Sequence, residues 1–506
     1  MAYESLPWYG QYIDGAWQAA TGRLMDVVEP ALQQPMARVV RGNAADVDLA
    51  VAAARHAFDH GPWPHTAPAE RARVLHAIGD LIQAHSDELA ELESRNIGTP
   101  LRKTMFLDLP GALEHFRTFA ELARLHPYEA LPWTDMPSVS WNFVWHEPLG
   151  VCAHITAWNF ALLFAAWKLA PALAAGCTVV FKPASAAPLS LLRLTALIHD
   201  AGLLPRGVLN VVTGTGEDVG EPLVAHPGVD KVSFTGSTAN GRRVMALASP
   251  TLKHTTLELG GKSPALLLPD ADLDVAIDGM LFGMYLNSGQ ACEAGTRCLV
   301  PRAIHDEVVD RLVTRVRDLT LGDPLDLETD QGPLISYTQR ARVEHYIALG
   351  RAEGAQIVTG GRRARVAGFP DAPFVEPTIF TRVDNTMRLA QEEIFGPVLS
   401  IIPYRDVSEA ITIANATDFG LAAAVWSRDL QQAIEVGRRL RVGTVWINDF
   451  HLILAHAPFG GVKQSGVGRE GGLHGLRAYQ QQKHMHVDLM QRRAGRVWWD
   501  AVLPPG

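Results

Sequence analysis

Cysteine is scarce in this chain. The four in 506 residues, Cys152, Cys177, Cys292 and Cys298, form no Cys-x-x-Cys pair and no disulfide-framework spacing, which excludes a cysteine-stapled secreted scaffold and points to a reducing compartment. Charge of one sign is not concentrated either. A formal net charge of -9, spread without long runs, leaves no basic stripe on which a nucleic-acid backbone could release counterions, so no nucleic-acid partner is expected. Long hydrophobic runs are missing: the longest, residues 169–181, lies between Lys168 and Lys182 and is broken by Pro171 and Gly176. It is too short to span a bilayer, and no membrane partner is expected. Residues 1–10 lack the charged start and apolar middle of a signal peptide, which makes the cytoplasm the expected location. Internal repeats and low-complexity tracts are absent. No cluster of His, Cys and carboxylates has metal-ligand spacing, and no required metal is expected.

What is present is ordinary globular material, 47% hydrophobic and 20% charged, in a chain too long for one core and therefore divided into two or three domains. From Asp46 the apolar positions Val47, Val51, Ala54 and Phe58 recur at helix-face spacing, continued by Val74, Ile78, Leu81 and Leu92. After Gly150, short β-rich runs alternate with helical patterns. Residues 178–182 lead into a helix bearing Leu191, Leu194, Leu197 and Ile198 and closed by Gly202; 208–212 and 231–234 follow as strands. Such alternation means a parallel, doubly wound sheet. A second α/β region, with strands at 265–268 and 442–447, spans roughly 261–477. Residues 139–145 stand apart, because Val139, Trp141, Phe143 and Trp145 alternate with Ser140, Asn142 and Val144 at strand period. They read either as an edge hairpin of the main sheet or as an arm that completes a sheet in another subunit.

The chemistry-bearing residues sit in Gly-rich turns. Cys292 ends the run Asn287-Ser-Gly-Gln-Ala-Cys292 and is a candidate nucleophile, against the plainer reading of a small buried hydrophobe. Upstream, Leu257-Glu258-Leu-Gly-Gly-Lys262 places a carboxylate inside an apolar strand end, followed by two glycines that allow close backbone approach. A salt bridge to Lys262 is its structural alternative.

Together these motifs resemble the aldehyde dehydrogenase superfamily, from about Asp14 to Tyr479. The elements stand in family order: Ala157-Trp158-Asn159-Phe160, Phe181-Lys182-Pro183, Phe234-Thr-Gly-Ser-Thr238 with Gly241, Leu257 to Lys262, Gly289-Gln-Ala-Cys292, Glu392-Glu-Ile-Phe-Gly-Pro397 and Pro458-Phe-Gly-Gly461. The resemblance implies an α/β fold with a doubly wound Rossmann-like cofactor domain (1–128 and 149–260), a second α/β catalytic domain (261–477), a β-strand oligomerisation arm (129–148 and 478–490) and a tail extension (491–506). It makes Cys292 the nucleophile that attacks an aldehyde carbon. The Asn159 side-chain amide and the Cys292 backbone N–H become the oxyanion donors, and Glu258 the base that activates water to hydrolyse the thioester. Glu258 argues for a free-acid product over the coenzyme A-acylating alternative. The joint presence of Cys292, Glu258, Asn159, Lys182 and Glu393 argues against a catalytically silent binding protein of the same fold.

For the cofactor the resemblance assigns Trp158, Lys182, Ser185 and Leu259, the helix opening Thr235-Gly236-Ser237, and Glu393 with Phe395 at the nicotinamide side. Many NAD-preferring relatives carry Glu where this chain has Ser185. Without that carboxylate to repel a 2′-phosphate, use of both NAD and NADP is expected. The aldehyde tunnel is assigned to Phe160, Leu163, Phe164, Trp167, Ile453 and Phe459, with Glu293 and His451 adding polarity. That wall suits apolar aliphatic or aromatic aldehydes. A homo-oligomer, a dimer or a dimer of dimers (tetramer), is implied. The tail, with adjacent Trp498 and Trp499, is expected to pack across a subunit surface near a tunnel mouth.

Overall fold

The computed structural model describes residues 6–19, 22–125, 128–135, 138–494 and 496–504; the first five residues, Gly495 and the last two of the tail lie outside the described residues. Four sheets organise them. The largest has eight strands, five of them parallel in the order His254–Glu258, Lys231–Thr235, Val151–Ile155, Thr178–Lys182, Leu209–Val211. Chain order therefore runs outward in one direction from Val151–Ile155 and then resumes on its other side. This is the doubly wound pattern, and the crevice beyond the carboxyl ends at that reversal is where such sheets bind ligands.

Helices cover both faces for reasons visible in the residues. Ala44–His60 opens with a reciprocal capping box between Asn43 and Asp46 and buries Val47, Ala50, Val51 and Ala54. The continued periodicity resolves into two helices, Pro68–Ala84 and Ser86–Ile97, rather than one. Ala161–Ala175 is apolar on nearly every side and almost wholly buried, and ends at the left-handed Gly176. It carries Lys168 into the core, where the ammonium meets Glu470 at 2.6 Å.

The second sheet, of seven strands, runs Gln356–Thr359, Thr378–Thr381, Val398–Tyr404, Arg297–Pro301, Pro264–Leu267, Ala422–Trp426, Thr444–Ile447, parallel except for the first. One strand crosses the division drawn from sequence: Gly466–Val467, from the region assigned to the second unit, pairs antiparallel with His254–Glu258 of the first sheet.

Ser140–Pro148 is not an edge hairpin of the main sheet. It is the middle strand of a separate antiparallel sheet between Tyr128–Ala130 and Gln480–Asp488. On the outer strand, residues 481–486 expose their side chains. The tail turns back onto the end of this sheet, with Arg496 3.1 Å from Asp488 and its guanidinium over the Trp499 ring at 4.5 Å. No described tail residue lines the apolar tunnel that leads to Cys292. Among the described residues, no helix is long and apolar enough to cross a membrane.

Candidate active site

Cys292 follows a strained turn. The helix Leu273–Tyr285, capped by Asp272, breaks at Leu286, and Asn287 and Ser288 then adopt left-handed φ of 53° and 55°. Such backbone persists only when its surroundings over-determine it. Here Ser288 Oγ donates to the Gly332 carbonyl at 2.8 Å, Asn287 Nδ2 to the Asn159 carbonyl at 3.0 Å, and Ile335 N–H to Gln290 Oε1 at 3.0 Å. The turn delivers Cys292 to a junction of two cavities. A groove of about 420 Å³ and a tunnel of about 250 Å³ both include it in their walls, and Phe164 is the other residue they share.

The groove lies at the reversal point of the main sheet, against Ile155 to Asn159 and Phe234 to Ser237. It brings together Glu258, Asn159, Trp158, Lys182, Thr235, Gly236, Ser237, Leu259, Glu393 and Phe395; Ser185 lies outside its wall, with Oγ donating to the Gly214 carbonyl at 2.8 Å. Two glycines set its depth. A Cβ on Gly260 would sit 2.5 Å from Glu393 Oε2, and one on Gly261 would collide with the Cys292 carbonyl. Glu393 Oε1 accepts from Gly261 N–H at 3.1 Å, and burial pushes its carboxyl up to about 7. Phe395, at a left-handed φ of 64°, meets the Trp158 ring edge to face at 5.4 Å. Gln339 Nε2 holds that bend by donating to the Phe395 carbonyl at 2.7 Å. Burial lowers Lys182 to about 8, and the buried Thr235 hydroxyl has no protein partner.

Glu258 is buried with neither carboxylate oxygen hydrogen-bonded. The ion pair to Lys262 is not formed: Lys262 Nζ is likewise unpartnered, and burial lowers it to about 7. Burial holds the Glu258 carboxyl well above the usual range, reinforced by the charge of Glu470 and opposed by Lys168 and Arg469. Glu470 is itself tied to Lys168 and to Ser233 Oγ, at 2.6 and 2.8 Å. Asn159 Nδ2 donates to the Gln290 carbonyl at 2.9 Å, which leaves its second N–H for another acceptor.

Phe160, Leu163, Phe164, Trp167, Glu293, His451, Ile453 and Phe459 all line the tunnel. Its aromatics form an edge-to-face chain, Phe160 to Phe164 at 5.7 Å, Phe164 to Trp167 at 5.6 Å and Trp167 to Phe459 at 5.4 Å. Sequence reasoning missed His115, which stacks on Trp167 at 5.4 Å, donates from Nδ1 to the Gly111 carbonyl at 2.7 Å, and is lowered by burial to about 4. It also missed Lys103, buried against Asp108 at 2.6 Å with its ammonium 3.9 Å from the Phe160 ring centroid and 3.3 Å from the Asn159 carbonyl. His115 continues a helix face that ordinary core packing would explain, so no pattern marked it. No group of three described His, Cys, Asp or Glu residues is placed to hold a metal ion.

A groove at the reversal point of a doubly wound sheet is where such folds take a ligand, and here it meets an aromatic tunnel at a thiol. The chain belongs to the aldehyde dehydrogenase family, whose sequence profile matches residues 17–485. It is 45% identical over 479 residues to DhaS of Bacillus subtilis (strain 168), provisionally named an aldehyde dehydrogenase, covering 94% of this chain and 95% of that one. It is 43% identical to the betaine aldehyde dehydrogenase of the same organism, covering 94% and 96%. A crystal structure of betaine aldehyde dehydrogenase from Staphylococcus aureus in complex with NAD+ superposes with a TM-score of 0.93 at 39% identity, covering 97% of this chain and 96% of that one.

Proposed function

We propose that this protein oxidises an apolar aliphatic or aromatic aldehyde to the carboxylic acid through a covalent thioester on Cys292. The observation that carries the reading is the position of Cys292 in the walls of both cavities. The aldehyde enters by the tunnel, whose aromatic wall desolvates it. Cys292 Sγ attacks the carbonyl carbon, and the developing oxyanion is met by the free N–H of Asn159 and the Cys292 backbone N–H. After oxidation, Glu258 removes a proton from water as it attacks the thioester. A buried carboxyl with a raised proton affinity is suited to that task.

The groove residues fit a nicotinamide dinucleotide. The unpartnered Thr235 hydroxyl, the Lys182 ammonium and the N-terminus of helix Thr238–Ala248 would hold the adenosine and pyrophosphate, with Glu393 and Phe395 at the other end. The bound dinucleotide supplies the hydride acceptor. Because Ser185 replaces a carboxylate, NAD and NADP both serve. A preference for NAD in kcat/KM beyond about a hundredfold, some 2.7 kcal/mol, refutes this.

A cationic aldehyde is the second reading. Tunnel rings could face a quaternary ammonium, the exposed Glu114 belongs to the tunnel lining, and a betaine aldehyde dehydrogenase is among the relatives. One assay tests both: NADH formation from hexanal, phenylacetaldehyde and betaine aldehyde, with and without coenzyme A. Faster turnover of the apolar pair, independent of coenzyme A, supports the first reading. Preference for betaine aldehyde supports the second, and no NADH from any of them overturns both.

A further inference from the structure

Glu293 and His451 are not idle polar groups in the tunnel wall. Glu293 directly follows the nucleophile, and Cys292 Sγ–H donates to its Oε2 at 3.1 Å. Its other oxygen, Oε1, lies 2.9 Å from His451 Nδ1. The remaining ring nitrogen, Nε2, is 2.9 Å from the Gly283 carbonyl. A carbonyl only accepts, so Nε2 carries a proton and Nδ1 is the atom that shares a proton with Glu293. Both side chains are nearly sealed from solvent, at 5% and 2% exposure. Glu258, by contrast, has no hydrogen bond to the thiol. Among the three carboxylates whose charge reaches Cys292, namely Glu293, Glu393 and Glu258, the one hydrogen-bonded to sulfur is Glu293.

We propose that Glu293 is the catalytic base that takes the Cys292 proton in the first step, with His451 as its positioning partner, while Glu258 serves the hydrolytic step. The inference rests on the aldehyde-oxidising reading above. In the step, the S–H bond breaks and its proton passes to Glu293 Oε2. The sulfur electron pair forms the bond to the carbonyl carbon, and the carbonyl π pair moves to oxygen. When the thioester is cleaved, sulfur departs with the bonding pair and recovers the proton from Glu293. The pair thus borrows a proton and returns it within each turnover.

The electrostatics favour transfer during attack over a thiolate formed beforehand. Burial raises the Cys292 thiol well above its ordinary range, and the charges of Glu293, Glu393 and Glu258 raise it further. Burial also pushes the Glu293 carboxyl up, but the hydrogen bond and charge of His451 and the thiol hydrogen bond outweigh it, leaving it below the usual range. Glu293 is therefore ionised and ready at neutral pH.

The test uses full-length enzyme with two readouts: the pre-steady-state NADH burst, and inactivation by iodoacetamide without aldehyde. For E293Q the burst rate and the alkylation rate at pH 7 are expected to fall at least tenfold. The burst of E293Q is expected to climb with pH more steeply than that of wild type, and E293D is expected to recover part of the loss. If Glu293 acts only as a repelling charge, E293Q alkylates as fast as wild type or faster, and the proposal is overturned. Should E293Q fail to fold, H451Q carries the test, with a slower burst shifted to higher pH expected and an unchanged burst profile overturning the idea. Alkylation needs no aldehyde. Failure of wild type to oxidise any aldehyde would therefore sink the functional reading while leaving this measurement interpretable.

Discussion

Replacing Glu258 by Gln separates the two halves of the proposed reaction. The side chain is buried, and neither oxygen holds a protein partner, so Gln preserves shape while removing the capacity to accept a proton. General-base catalysis contributes on the order of 10²–10⁴-fold, or about 3–5 kcal/mol of barrier. In the proposed reaction, acylation does not use this group. E258Q is therefore expected to give a normal NADH burst approaching one equivalent per Cys292, followed by steady-state turnover reduced by that factor. In wild type the carboxyl is held well above the usual range, so steady-state turnover is expected to go on rising with pH above the ordinary carboxylate range, and this limb is expected to vanish in E258Q. Stopped-flow absorbance at successive pH values reads both phases. A steady-state rate within about threefold of wild type, or a burst that falls in parallel with it, would refute the assignment of Glu258 to hydrolysis.

Asn159→Ala removes one proposed oxyanion donor and is expected to lower the burst rate by about a hundredfold or more, with dinucleotide binding by fluorescence titration unchanged. Trp167→Ala deletes the ring that bridges Phe164, Phe459 and His115; a loss of about 3–5 kcal/mol in stability by chemical denaturation is expected, together with a shift of kcat/KM toward longer alkanals across a propanal-to-decanal series. Glu93 is buried, accepts from Leu162 N–H at 3.1 Å and from Ser190 Oγ, and is raised by burial to about 7. Because its folded-state proton affinity exceeds the unfolded one, it stabilises the fold below about pH 4.5, and that contribution is lost as pH rises toward 7. Glu93→Gln can accept from Leu162 N–H through its oxygen and donate to Ser190 Oγ through its amide nitrogen, and is expected to flatten this decline, gaining up to about 3 kcal/mol at pH 8 relative to pH 4, as read from melting curves at the two pH values.

Several parallel strands were legible as short β-rich runs between helical patterns, whereas Arg297–Pro301, Thr378–Thr381, Val398–Tyr404 and Ala422–Trp426 of the second sheet were not singled out. Thr178–Lys182 is found with the bounds the sequence suggested, and Leu209–Val211 and Lys231–Thr235 differ from expectation only at their ends. The tunnel and groove residues were legible only through the order of motifs, since none of the separate tetrapeptides announces which others it will meet. What stayed hidden depends on distant closure. Lys168 and Glu470 are 302 positions apart and pair inside the core, and Gly466–Val467 leaves its own region to extend the first sheet. Adjacency also misled: Lys262, four residues from Glu258, leaves that carboxylate alone. The contacts of Lys103 with Asp108 and with the Asn159 carbonyl escaped notice because a Lys and an Asp five apart on a helical segment look like a solvated surface pair.

Phe164 and Cys292 are the residues common to both cavities. Traffic to the sulfur therefore has two doors and one shared threshold. In the proposed reaction a spent acid would back out the way it came without crossing the dinucleotide's groove, and the bulk of the Phe164 ring would set how far either visitor trespasses into the other's room.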